Sequence, residues 1–83
     1  MNDVLEKIKA MAQKAASLIG VELIRVEYKR AGRGFVVRIV IHRDGGTGIR
    51  DCEQVSRLVE KDLDAADLIP GRYFLEVMSK GIP

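Results

Sequence analysis

The sequence predicts an α+β fold: an α-β-β-α-β two-layer sandwich in which two helices cover one face of a three-stranded mixed sheet. Three observations carry this expectation. Apolar residues return every three or four positions in two segments, 3–19 and 49–64. They alternate with polar residues in three others, 21–30, 35–42 and 73–78. One helical segment falls between the second and third strands, and a right-handed crossover there makes those two strands parallel.

In the first segment Leu5, Ile8, Ala12, Ala15 and Ile19 line one helical face, while Lys7, Lys9, Gln13 and Lys14 fall mostly elsewhere. Asp3 followed by Glu6 fits a capping box, and Gly20 stands where a left-handed residue commonly ends a helix. The next run places Ile24, Val26 and Tyr28 on one side and Arg25, Glu27 and Lys29 on the other, which is the period of a strand. "AGRG", Ala31 to Gly34, supplies a turn, after which Phe35, Val37, Ile39 and Ile41 alternate with Val36, Arg38, Val40 and His42. The two strands form a hairpin with Arg30 and Arg33 at its tip. Ile49, Cys52, Val55, Val59 and Leu63 give the second helix its apolar stripe, with Ser56, Arg57, Glu60 and Asp64 on the wet side. "IPG", Ile69 to Gly71, turns the chain, and Tyr73, Leu75 and Val77 alternate with Phe74, Glu76 and Met78 in a last strand.

With 83 residues, nearly half of them apolar, the chain forms one domain, 1–83, with a thin core. One cysteine allows no internal disulfide framework and no multi-cysteine zinc site, which points to the cytoplasm. No apolar run approaches the roughly 18 residues of a membrane span, so no membrane partner is expected.

The net charge of +2 conceals an uneven distribution. Residues 1–24 carry three bases and three acids, residues 25–50 seven and two, and residues 51–83 four and seven. A basic middle third favours an anionic partner.

The stretch "HRDGGTGIRDCEQVSR", His42 to Arg57, places three glycines between a strand and a helix. Such a loop can present backbone amides to an anion. A nucleotide-binding phosphate loop, however, needs lysine and then serine or threonine after its last glycine, and Ile49 and Arg50 follow Gly48 here. Gly45 and Gly48 spell the GxxG of a KH domain, yet that loop joins two helices. The loop reads as a turn: Asp44-Gly45-Gly46 reverses the chain and Thr47 or Gly48 caps the helix. With Gly48 as cap, Asp51 falls at the third helical position, where its carboxylate meets exposed amides and the positive end of the dipole.

"RGFVVRIVI", Arg33 to Ile41, opens like the stacking strand of an RNA-recognition motif, but Val36, Val37 and Val40 stand where a small residue or aromatics belong. Tyr28, Phe35, Tyr73 and Phe74 are the only aromatics, and three of them are expected in the core, which argues against base-by-base readout. His42 has no nearby cysteine to complete a metal site, and Cys52 lies on the apolar stripe. No catalytic residue, metal ligand, cofactor or small-molecule substrate is expected.

"DCEQVSR", Asp51 to Arg57, "LIPGRYFLEV", Leu68 to Val77, and "GVELIRVEY", Gly20 to Tyr28, together resemble the N-terminal domain of the RimP family of ribosome maturation factors. The resemblance runs over nearly the whole chain. It implies a bacterial cytoplasmic protein that binds the free small ribosomal subunit and assists its maturation without enzymatic chemistry. It also implies an α/β first domain and a second, barrel-like domain that is absent from this sequence, so the chain is read as an excised domain or a divergent stand-alone form. Three features depart from the family pattern. Gly48 stands where serine or threonine is usual, Arg50 where an acid is usual, and Met78-Ser79-Lys80-Gly81 where Ser-Ser-Pro-Gly is usual.

The charge distribution nominates Lys29, Arg30, Arg33, Arg43 and Arg50 for contact with ribosomal RNA phosphates, contacts that orient a protein without reading sequence. The alternative is a protein-interaction module. In that reading Val36, Val40, Phe74 and Met78, exposed on the sheet face away from the helices, pack on a partner domain or a ribosomal protein.

Overall fold

The two periodicities become two layers. A computed structural model describes residues 3–80, in the order α1 (Asp3–Ile19), β1 (Glu22–Ala31), β2 (Gly34–His42), α2 (Ile49–Ala66) and β3 (Tyr73–Ser79). Gly81 and Pro83, which end the divergent tail, lie outside the described residues. α1 buries Ile8, Ala12, Ala15 and Ala16, and α2 buries Val55, Val59 and Leu63. These join Val26, Val37, Ile39 and Ile41 of the sheet in one apolar cluster, so both helices lie on the same sheet face. Ile49, expected on the α2 stripe, is 80% exposed, because it opens the helix ahead of the turn that reaches the core. Asp3 lies with Glu6 inside the first turn of α1, where both carboxylates meet the positive end of the dipole.

The sheet order is β1-β2-β3, with β2 antiparallel to β1 and parallel to β3. Gly20, at φ 87°, ends α1, and the amides of Gly20 and Val21 both donate to the Ala16 carbonyl. The β1–β2 hairpin closes on the pair Ala31–Gly34 with Gly32 at φ 61°, the glycine-first pattern of a type II′ turn.

One face assignment differs from the sequence expectation. The β1–β2 register shifts between Leu23 and Arg25, so Ile24 is the extra residue of a β-bulge. Leu23 pairs with Ile41 and packs on the core, while Ile24 is left exposed. Strict alternation traced back from Val26 places the wrong one of the two inside.

Candidate nucleic-acid interface

The face of the sheet away from the helices is set by register. Three rows cross it: Arg25–Val40–Met78, Glu27–Arg38–Glu76 and Lys29–Val36–Phe74. The middle row is a ladder of charge. Arg38 donates from Nε to Glu76 at 3.0 Å and reaches Glu27 at 3.5 Å. Glu27 also holds Arg25 at 2.9 Å and Lys29 at 3.6 Å. The two acids of this face are therefore shared among three cations.

The apolar residues of this face are not all exposed. Phe74 is 57% exposed and Met78 37%, and Val36 is half-buried. Val40, expected to be exposed, is buried at 4%. A short side chain on the central strand, flanked in its row by Arg25 and Met78, is covered by their longer stems. The charged row separates Phe74 and Val36 from Met78, so the exposed apolar surface is two small patches rather than one.

The cations nominated by charge divide between the two ends of the sheet. Lys29, Arg30 and Arg33 surround the hairpin tip. Arg30 lies 5.3 Å from the Phe35 ring, which stacks on Tyr28 at 5.2 Å, so its guanidinium is held on the helix side of the sheet. Arg43 and Arg50 lie at the opposite end, beside the glycine loop.

A fourth cation at the hairpin end, Arg72, is one that charge distribution along the chain does not nominate. Parallel pairing of β2 with β3 sets Phe35 beside Tyr73, and the Phe35 amide donates to the Arg72 carbonyl at 2.9 Å. A Cβ on Gly34 would stand 2.5 Å from that same oxygen, so the glycine lets the Arg72 backbone approach. Arg72 belongs to the acidic third of the chain, and only the parallel pairing brings it to the tip. No acid lies at ion-pair distance from Arg33 or Arg72 among the described residues. The nearby helical acid Asp64 accepts from the Tyr73 hydroxyl at 2.9 Å; burial, and then that bond, push the Tyr73 pKa up to about 12.

The glycine loop has the geometry of a turn. Gly45 and Gly46 take φ 89° and 118°, and the Gly46 amide donates to the Arg43 carbonyl. Gly48 is the cap of α2, and Asp51 accepts from its amide at 3.1 Å. Glycine has no side chain to return the bond, so only the Asp51 half of a capping box exists. Arg43 donates to both Asp51 carboxylate oxygens, at 3.0 and 2.9 Å, and to the Ile19 carbonyl at 3.1 Å. This forked contact, and then the Gly48 amide, hold the Asp51 carboxyl below its ordinary range. Arg43 is thus committed to joining the end of α1 to the start of α2, and its forked face is not turned to a phosphate. Arg50 forms no ion pair among the described residues.

No group of three or more His, Cys, Asp or Glu residues is placed to hold a metal among the described residues. Burial, and then the neighbouring Asp51, push the Cys52 thiol up, away from the thiolate a nucleophile needs. None of the helices described is long and apolar enough to cross a membrane.

The family model described as the RimP N-terminal domain matches residues 11–83. Among solved structures, one of the MamM CTD in a zinc form is 13% identical, with 99% of this chain and 90% of that chain covered and a TM-score of 0.54. Another, in a cadmium form, is 14% identical over 94% and 96%, with a TM-score of 0.49. At such identity the first likeness concerns the fold alone.

Proposed function

Since the chain belongs to the RimP N-terminal domain family, a family of ribosome maturation factors, we propose that it docks on the free small ribosomal subunit by its hairpin end. Lys29, Arg30, Arg33 and Arg72 meet phosphates of ribosomal RNA there. The protein works as a non-enzymatic assembly factor, or as a domain of one, in the bacterial cytoplasm.

One observation carries this reading: β2–β3 pairing adds Arg72 to the cations of the hairpin tip, and neither Arg33 nor Arg72 has an acid at ion-pair distance among the described residues. Phosphate contacts of this kind displace condensed counterions, so affinity falls with salt in proportion to their number. Replacing Arg30, Arg33 and Arg72 together by alanine is expected to weaken binding to purified small subunits. It is also expected to flatten the salt dependence by about 0.7 to 0.9 in log–log slope for each phosphate that is no longer neutralised. Unchanged affinity and slope would remove the hairpin end from the interface.

The protein-docking alternative retains Phe74 and Met78, which are exposed, and loses Val40, which is buried. It requires shallow salt dependence, so the same titration separates the two readings.

A further inference from the structure

The hairpin end adjoins a feature that phosphate docking leaves unused. Phe74 is a large aromatic ring, 57% exposed, on the open face of a sheet. Its row contains Lys29 and Val36, and Arg72 lies two residues earlier, just ahead of β3, where a Cβ built on Gly34 of this face would stand 3.4 Å from the Arg72 Cβ. In the neighbouring row Ala31 and Gly34 have no bulk, so Arg72 is the one long side chain that row sets beside the ring. On the other side stands the ladder of Glu27, Arg38 and Glu76, whose acids are already held by arginine. An aromatic face with cations on two sides and neutralised acids on a third matches a nucleobase and its adjoining phosphates. Phe74 and Val36 alone are too small for an apolar protein interface, which covers roughly 800 Å² on each partner.

We propose that Phe74 is a stacking site for an unpaired RNA base, with Lys29 and Arg72 on the flanking phosphates. This deepens the docking reading and rests on it, naming single-stranded rather than paired RNA as what the sheet face receives. Stacking on an aromatic ring tolerates any base, because every base has a π-face. It therefore needs none of the motif residues whose absence argues against base-by-base readout.

The test replaces Phe74 in the intact chain in two ways. Phe74→Leu keeps an apolar side chain and removes the ring face. Phe74→Trp keeps a stacking face and introduces a single indole into a chain that has no tryptophan. The probes are a fluorescein-labelled oligoadenylate of roughly ten nucleotides and an RNA duplex of the same length. Phe74→Leu is expected to weaken single-strand binding roughly 5- to 100-fold, with the salt slope and duplex binding unchanged. The indole emission of the Phe74→Trp variant is expected to be quenched by the unlabelled single strand. Wild-type affinity in Phe74→Leu, or indole emission indifferent to the oligonucleotide, would overturn the proposal.

Parallel titrations with small subunits separate this proposal from its premise. Weakened binding by the triple arginine variant with none in Phe74→Leu overturns stacking and leaves phosphate docking standing. Undiminished binding by the arginine variant overturns the docking reading itself. Weakened subunit binding by Phe74→Leu with undiminished oligonucleotide binding assigns the ring to a ribosomal protein and overturns its assignment to RNA.

Discussion

Gly34 shows how one missing atom positions a candidate binding residue. Its backbone lies so close to the Arg72 carbonyl that a Cβ would stand 2.5 Å from the oxygen, and the obstacle is backbone rather than the far end of a flexible side chain. Gly34→Ala must therefore shift β3 against β2 at the point where Arg72 joins the hairpin end. The expected destabilisation is about 1 to 3 kcal/mol, as for other overpacked sites, read as a lower urea midpoint with the slope unchanged. A midpoint equal to wild type would show that the two strands do not approach as described. At this scale the sequence is an uneven guide. Val26, Val37, Ile39 and Ile41 go inside as their alternation requires, since period two is a local property of the chain. Ile24 does not, because a bulge adds a residue without leaving a mark in the hydrophobic pattern. Val40 is buried on the face expected to be open because of what its neighbours on two other strands cover. Arg72 is hidden from a reading along the chain for the same reason, since its partner Gly34 lies far earlier.

Between elements, the contact of most consequence is the one Arg43 makes. From the loop after β2 it reaches the last carbonyl of α1 and both oxygens of Asp51 in the first turn of α2. It thus serves an unpaired acceptor at one helix end and holds the acid that favours the positive end of the other. The Gly48 cap and the placement of Asp51 are legible in the sequence, because they depend on a spacing of three residues. The role of Arg43 is not, because Ile19 is 24 residues away. The pH consequence follows from the direction of the shift. Asp51 has a lower pKa in the folded chain than in the unfolded one, so its contribution is complete above the unfolded value, near roughly pH 4, and fades as pH falls through the folded value. Asp51→Asn is expected to lower the urea midpoint at pH 7, with the gap to wild type narrowing as pH falls below about 4. A gap that stays constant down to about pH 2 would show that the ionised carboxylate is not what joins the helices.

Across the whole molecule, charge is sorted between the layers. The two helices together carry six bases and seven acids, with the acidic excess in α2, whereas the strands, together with Arg33 and Arg72 at the hairpin end, carry six bases and three acids. The sorting gives the protein a cationic layer, but the hairpin end and the glycine loop lie at opposite ends of nine-residue β2, roughly 26 to 30 Å apart. That exceeds the screening length of roughly 8 Å at physiological salt, so the two ends act as separate charges, and a surface that meets one need not meet the other. Arg50 is the informative residue, being exposed, free of ion pairs among the described residues and in the first turn of α2, where a positive charge opposes the dipole. If the hairpin end does the docking, Arg50→Ala leaves subunit affinity and salt slope at their wild-type values. The same substitution raises stability by about 0.3 to 1 kcal/mol, because it removes a misplaced charge. A molecule lying lengthwise on the RNA would instead show a slope shallower by about 0.7 to 0.9 from this one substitution, as large a change as any single cation of the hairpin tip produces. Titrating Arg50→Ala beside the triple arginine variant over the same salt range therefore measures the orientation of the bound protein, and equal slopes for Arg50→Ala and wild type place the glycine loop away from the ribosomal surface.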